Sequence, residues 1–478
     1  MKNKIKNIPG HFVAGPVRPI LVMGVLSLTG CQVLQMPETG ADIQLPAQFT
    51  DMPSQPVQRL SWSTYFTDPV LQQLLQQTLQ HNQDLQLAAL RVAEAQAMYG
   101  IQRAELYPQL GLGTDFSRNR VPADLSPLGQ SYIANQFQVG VGLQSWELDL
   151  WGRIRSLKQA ALKQFMAQQA NQIAVQNSLI AQVASVYLNL SALDQRVELA
   201  EHAVGSYQNS VRIFKRRYDV GSGSKVEYTQ AQTLLSNAQN LLAQLQQARA
   251  SQQNLLIQLV GRPVQLTRPT PLSQIQWAHQ AQAVGLPSDL LLNRPDLRAA
   301  EYQLQAQSAN IQAARLAFFP RISLTGGFAT ASGELEGLFQ PQSQLWQFAP
   351  SISIPIFTAG RLKANLNLAQ VRQQMAVQEY EKTIQNAFRE VRDALQNEDW
   401  LTRQLQIQGQ GLKAFRERVR LAQLSYDNGA VTYLEVLDAQ RSLLAAEQQA
   451  VEVQSALLKN QVALYLALGG DISLTHRV

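Results

Sequence analysis

The sequence is poor in the residues that most enzymes and metalloproteins depend on. Its 478 residues include one cysteine, Cys31, so no disulfide can form within the chain. Five histidines, His11, His81, His202, His279 and His476, are scattered, and none stands at metal-ligand spacing from the cysteine or from another histidine. Neither a G-x-S-x-G elbow nor an H-E-x-x-H pair occurs. No catalytic, cofactor-binding or metal site is expected. Charged residues make up 15% of the chain, against about 25% in an ordinary soluble domain, with Gln, Ala and Leu in their place. Beyond residue 30 no run of 18 apolar residues occurs, which argues against a transmembrane helix. The formal charge of +6 falls to +2 if Lys2, Lys4, Lys6 and Arg18 are removed with an N-terminal leader. No basic run with interleaved aromatics remains, so no nucleic-acid partner is expected.

What is present begins with that leader. Lys2-Asn3-Lys4-Ile5-Lys6 is a basic n-region, and Ile20–Leu28 is an apolar run too short to span a membrane. It ends in Leu28-Thr29-Gly30-Cys31, which resembles a bacterial lipoprotein box. Residues 1–30 are therefore expected to be a lipoprotein signal peptide and Cys31 the lipidation site, with 31–67 a lipid-anchored N-terminal segment. One acyl chain anchors only marginally, so two or three are needed for stable attachment. Gln32 stands where an Asp would resemble the inner-membrane retention signal, which points to the outer membrane.

The rest of the chain is written twice. "RYDVGSGSKVEYTQAQ" (217–232) answers to "SYDNGAVTYLEVLDAQ" (425–440) at an offset of 208, which Gly152/Gly360 and Gly261/Gly469 share. Pro108 and Pro320 are 212 apart, so one copy is shorter by four residues between the proline and the Gly-Arg that follows. The period is far too long for a solenoid repeat. It divides the chain into a first repeat at 68–261, a Pro-rich connector at 262–287, a second repeat at 288–469 and a tail at 470–478.

Each repeat reads as helix, two strands, long helix, turn, helix. The long helices, from Gly152 to Tyr218 and from Arg361 to Tyr426, would each be about 100 Å of rod at 1.5 Å per residue. The return helix carries apolar residues at 3–4 spacing (Leu234, Ala238, Leu241, Leu245) with a Gln-rich opposite face, a coiled-coil pattern. In the turns, Gly221 and Gly429 supply positive φ. Ser224…Glu227 and Thr432…Glu435 have the spacing of capping boxes that restart the helix. Gly221-Ser222-Gly223-Ser224-Lys225 lacks phosphate-loop spacing and is not expected to bind nucleotide.

Between the helices the period changes to two. "QLGLGTDFSR", "FQVGVGLQSW", "RISLTGGFAT" and "APSISIPIF" alternate apolar with small or polar residues and are bounded by Tyr107, Trp146, Trp151, Phe319, Trp346 and Phe357. Strands of about ten residues with one apolar face and aromatic borders suit a transmembrane β-barrel. Four strands cannot close, and open edges are not tolerated in lipid, so the chain must assemble around an axis.

With the lipobox, the two-fold repeat, "FTAGR" at 357–361 and "YDNGAVTYLEVLDAQRSLL" at 426–444, the chain resembles the TolC-like outer membrane efflux proteins. Within them it is similar to the lipoprotein branch of OprM and NodT type. The resemblance implies a mixed α and β membrane protein. A long α-helical coiled-coil barrel would be continuous with a transmembrane β-barrel assembled from a homotrimer, four strands per chain. It would be the outer membrane exit duct of a tripartite pump for drugs or small molecules, partnered by a periplasmic adaptor and an inner-membrane transporter of the resistance-nodulation-division type. It would do no chemistry and carry no cofactor beyond the covalent lipid. The resemblance also implies a periplasmic gate at Leu434, Glu435, Asp438, Arg441 and Tyr426, with Glu435 divided between gate and helix cap, and a tip that loosens when both acids are neutralised. Two other readings stay open, a type I protein-secretion duct and a poreless lipid-anchored spacer.

Overall fold

The computed structural model describes residues 61–127, 129–264, 269–278 and 294–471. The leader, Cys31, much of the connector and the end of the tail lie outside the described residues.

The single helix expected to open the first repeat is two helices, α2 (Pro69–His81) and α3 (Gln83–Ala104), preceded by a single turn, α1 (Trp62–Tyr65). Asp68 accepts from Leu71 N at 2.9 Å and Pro69 occupies N1, where its missing N–H costs nothing. The break falls at Asn82, whose extended backbone ends α2 and whose side chain accepts from Leu85 N at 3.0 Å to start α3. The long rods are α4 (Arg153–Asp219) and α7 (Arg361–Asp427), 67 residues each. They begin at Gly152 (φ 90°) and Gly360 (φ 83°), the left-handed positions the Gly-Arg pairs mark. The return helices are α5 (Lys225–Val260) and α8 (Tyr433–Ala467), and α6 (Pro295–Leu316) opens the second half.

The helices lie side by side in one layer. On the strand side of the middle the order is α3, α4, α6, α7; on the other side it is α5, α4, α8, α7. The rods thus run the whole length while shorter helices meet end to end beside them. Both joints are built at repeat-equivalent positions with different chemistry. Asn82 donates to Leu259 O at 2.8 Å, and Arg294, 212 residues later, donates to Ala467 O at 3.1 Å. Gly261 is tied to the first joint, because a Cβ there would lie 2.4 Å from His81 O. Arg294 also holds Asp296 at 2.7 Å and Glu390 at 2.8 Å.

The main core girdles the middle of the layer. Phe66, Leu75, Ile180, Tyr187, Leu190 and Leu256 are fully buried there, and Tyr65 stacks on Tyr465 at 4.5 Å. Burial, with Glu398 acting in the same direction, raises the Tyr65 phenol well above its usual range. Burial also pushes Tyr187 up to about 12, against its bonds with Thr270. By contrast the two edges of the layer carry unpartnered apolar residues, Leu87, Leu90, Met98 and Ile101 on α3 and Leu368, Val371, Met375 and Ile407 on α7. Of the coiled-coil positions on α5, Ala238 and Leu245 are buried within this chain, while Leu234 and Leu241 are half-buried.

The strands are β1 (Leu110–Val121), β2 (Tyr132–Glu147), β3 (Arg321–Ser332) and β4 (Gln344–Ser353). They form one antiparallel sheet in the order β1-β2-β3-β4. Two expectations need correction. At 16 residues β2 is longer than the ten or so expected. The second correction is that β4 stops at Ser353, so Ile354 and Ile356 continue the alternation in sequence without being part of the sheet. Pro355 cannot donate to a ladder, which accounts for the early stop.

Candidate functional site

Across its middle band, one face of the sheet is apolar from edge to edge. In register across it lie Leu112, Val141, Phe328 and Trp346 on one line, and Phe116 beside Phe137 on another. The other face pairs Gly111 with Gly142 and Gly113 with Gly140, and beyond them come Gly327 and Ala329. It also carries Asp115, Gln138, Gln347 and Ser351, so it is small and wet. Gly140 is required there: a Cβ would lie 2.3 Å from Ala329 Cβ. Near the helical end, β2 contains a bulge between Leu143 and Trp146, with Ser145 at φ 43°. The extra residue turns Trp146 back to the apolar face opposite Leu324. Trp346, expected at a border, instead sits inside the apolar band opposite Phe328. Both outer strands leave an unpaired edge, which no single chain can place in lipid.

A short tie joins sheet to rods. Glu147 accepts two bonds from Arg153, at 2.9 and 2.7 Å, and the Trp151 indole N–H donates to Pro320 O at 2.7 Å. Asp149 accepts from Ile154 N and Arg155 N, at 3.0 and 2.9 Å, and so caps α4 where Gly152 has no side chain to do it.

At the far end are the two hairpin tips. Each rod closes in a Schellman motif. In the first, Gly221 N donates to Tyr218 O (3.0 Å) and Ser222 N to Arg217 O (2.9 Å). In the second, Gly429 N donates to Tyr426 O and Ala430 N to Ser425 O, both at 2.8 Å. The glycines adopt φ 76° and 70°. The restarts differ. Ser224 accepts from Val226 N at 3.0 Å while Glu227 accepts from Ser224 N at 3.0 Å, a formed capping box. Thr432 occupies the N-cap of α8 but its hydroxyl makes no cap bond, so the second box is absent. Glu435 therefore does not serve as a cap partner; it is an exposed carboxylate one turn from the tip.

Among the other expected gate residues, Leu434 is 44% exposed and Asp438 is fully engaged. Asp438 accepts from Arg418 at 2.8 Å and from Arg441 at 2.5 Å. Both ties stay within the second hairpin. The contacts that cross between hairpins are others. Arg217 lies over the Tyr426 ring at 5.7 Å and Phe214 meets Tyr433 at 5.3 Å, while Tyr426 and Tyr433, edge-on at 4.8 Å, join the two receiving rings within the second hairpin. The Tyr433 and Ser210 hydroxyls are 3.2 Å apart. Burial raises the Tyr207 phenol on α4, and the nearby positive charge of Arg441 works against it, so Arg441 also faces the first hairpin. Arg217, Arg418 and Tyr433 were not singled out from the sequence. A signal for two of them existed, because Arg217 and Tyr433 stand opposite Ser425 and Lys225, where the repeat diverges.

Among the described residues no group of three or more His, Cys, Asp and Glu could hold a metal ion, and no helix is long and apolar enough to cross a membrane. A family model described as outer membrane efflux protein matches residues 74–262 and again 286–470. The chain belongs to the outer membrane efflux protein family. This efflux protein is 43% identical over 414 residues to the solvent efflux pump outer membrane protein SrpC of Pseudomonas putida, covering 86% of this chain and 87% of that one. It is 37% identical over 452 residues to the cation efflux system protein CusC of Escherichia coli O6:H1, covering 93% and 96%. Its fold matches a crystal structure of CusC with a TM-score of 0.79 at 36% identity, over 90% of this chain and 99% of that one. It matches the open state of the Neisseria gonorrhoeae MtrE outer membrane channel with a TM-score of 0.80 at 36% identity, over 90% and 96%. The efflux protein therefore has the TolC-like channel fold and is an outer membrane channel of an efflux pump, extending into the periplasm.

Proposed function

We propose that this efflux protein works as a homotrimeric exit duct for small molecules, receiving them from a periplasmic adaptor and an inner-membrane transporter of the resistance-nodulation-division type. The observation that carries the reading is the open four-stranded sheet with one face apolar across its middle band, continuous with a helical layer whose two edges also carry exposed apolar residues. Three copies joined edge to edge supply a closed twelve-stranded barrel and bury the stripes on α3 and α7. Cys31, with two or three acyl chains, anchors each copy to the outer membrane. The solvent, toluene and cation pumps named for its relatives make small organic molecules or ions the cargo class.

The gate in this reading is the ring of six helix tips. Leu434 narrows the opening, Glu435 supplies the free negative charge, and Asp438 fixes the guanidinium of Arg441 where it faces α4. The contact of Tyr426 with Arg217 latches one hairpin to the other. Single-channel conductance in planar bilayers tests this. Wild type should give a small, cation-favouring conductance, and Glu435→Ala/Asp438→Ala should lose most of that preference. A folded oligomer that never conducts would leave the poreless spacer, and a pore with unchanged selectivity would remove these acids from the gate.

A further inference from the structure

The outward face of β1 changes character abruptly at one height. From the helical end it reads Leu110, Leu112, Thr114 and Phe116, all on the apolar face, and then Arg118 and Arg120 on that same face. The change falls at the border of the membrane. On β3, Ile322 to Ser332 is ten residue steps, which makes about 34 Å of strand and about 24 Å of height at a tilt of about 45°. That equals the apolar band of an outer-membrane barrel, about 25 Å tall. Ser332 is level with Phe137, and Phe137 with Phe116, whose rings touch at 4.6 Å between centroids. The two phenylalanines thus form the aromatic rim at the end remote from the helices. Arg118 and Arg120 stand immediately above that rim, still pointing away from the lumen.

Among the described residues no carboxylate pairs with either arginine, and Arg120 reaches only the Ser131 hydroxyl, at 3.3 Å. The nearest acid in sequence, Asp115, lies on the opposite face by register. Asp124 belongs to the connecting turn, and Glu334 and Glu336 to the loop between β3 and β4. Both side chains are exposed. An arginine on the lipid-facing side is tolerated near the interface and strongly disfavoured at the midplane, so the position agrees with its height. Guanidinium is matched geometrically to phosphate, which it binds through paired N–H donors.

We propose that Arg118 and Arg120 form a binding site for the phosphate groups of an outer-leaflet lipid, seated against the Phe116–Phe137 rim. The site rests on the outer membrane reading above and adds a ligand to it. The lipid's acyl chains would lie on the apolar face below while its phosphates meet the two guanidiniums.

The test uses the purified oligomer of the full chain in detergent and native mass spectrometry. The oligomer is titrated with bisphosphorylated lipid A, with the same lipid stripped of phosphate, and with inorganic phosphate as competitor. An arginine near an anionic lipid surface is worth about fivefold in affinity, so Arg118→Gln/Arg120→Gln should bind the phosphorylated lipid about twentyfold more weakly than wild type. Binding of the dephosphorylated lipid should not change, and Arg118→Lys/Arg120→Lys should recover most of the loss. Equal affinity in wild type and the Gln variant would overturn the proposal. Displacement of the lipid by equimolar inorganic phosphate would do so as well, by assigning a free-anion site. If the Gln variant instead falls apart into single chains, the arginines bind Glu334 or Glu336 of a neighbouring copy and the lipid site is refuted. Conductance of the same preparations keeps the channel reading separate, since it should be identical in wild type and variant.

Discussion

The tip geometry separates residues that latch the two hairpins from residues that only brace one of them. Arg217→Ala removes the one cationic side chain of α4 that lies over a ring of α7, at 5.7 Å from the Tyr426 centroid. At an exposed site such a contact is worth about 0.5–1 kcal/mol. In a trimer that opens in one step, three copies act together, so the closed state loses about 1.5–3 kcal/mol, or roughly 10- to 150-fold in the closed-to-open ratio. Asp438→Ala removes two ion pairs, each worth about 0.2–1 kcal/mol at this exposure. The first ties α7 to α8 and the second lies within α8, so a hairpin that tilts as a body keeps both in either state, and their loss should change the ratio by no more than about threefold. The assay is open probability of single channels in planar bilayers, with Arg217→Lys as the charge-retaining control. If Asp438→Ala opens the channel while Arg217→Ala leaves it shut, the moving unit is not the hairpin, and the reasoning fails.

Three further outcomes follow from the same structure. Ser224→Ala should cost about 1 kcal/mol of local stability and speed amide exchange in the first turn of α5, whereas Thr432→Ala, which breaks no cap bond, should leave α8 unaffected; hydrogen exchange at the two tips compares them directly. Gly140→Val should destabilise the sheet by at least the ~1–3 kcal/mol of ordinary overpacking, because Ala329 Cβ is 2.3 Å from the new atom and belongs to a paired strand; loss of oligomer on non-denaturing gels with helical circular dichroism retained is the expected result. Folding favours the neutral phenols of Tyr65, Tyr187 and Tyr465, whose pKa values burial raises. That stabilisation is complete below the ordinary phenol value of 10.0 and is lost as pH rises through the folded value, about 12 for Tyr187. Melting temperature should therefore fall between pH 10 and 12, less steeply in Tyr187→Phe, and an equal slope in that variant would contradict the assignment.

Much of this fold was legible because it follows from periodicity. A period of 3.6 over 67 residues, a period of two with glycines on one side, and left-handed glycines at the same offset are local facts that need no tertiary information. Asn82 was not legible, because nothing local distinguishes a polar residue that breaks a helix from one on its solvent face. Its role depends on Leu259 O, 177 residues away. Nor was the missing cap at Thr432. The spacing Thr-x-x-Glu is present, but Tyr433 inserts between Tyr426 and Phe214, and the start of α8 is positioned by those rings instead of by its own hydroxyl.

Duplication makes that failure informative. Where both copies keep a residue, as at Gly221 and Gly429, the residue serves the hairpin itself, and the Schellman bonds agree to within 0.2 Å. Where the copies differ, each position is free to serve the contact between hairpins, which is not symmetric. Arg217 faces Tyr426, but the equivalent of Arg217 is Ser425 and the equivalent of Tyr426 is Tyr218, which stacks on Tyr228 of its own hairpin at 6.2 Å. The joints beside the core repeat the pattern, with a neutral amide on Leu259 O and a guanidinium on Ala467 O. Alternating unlike contacts around a ring of six hairpins means that those inside one chain and those between chains need not have equal strength. The gate proposed above could then loosen at three of its six seams first, and the seam held by Arg217 and Tyr426 lies within the chain.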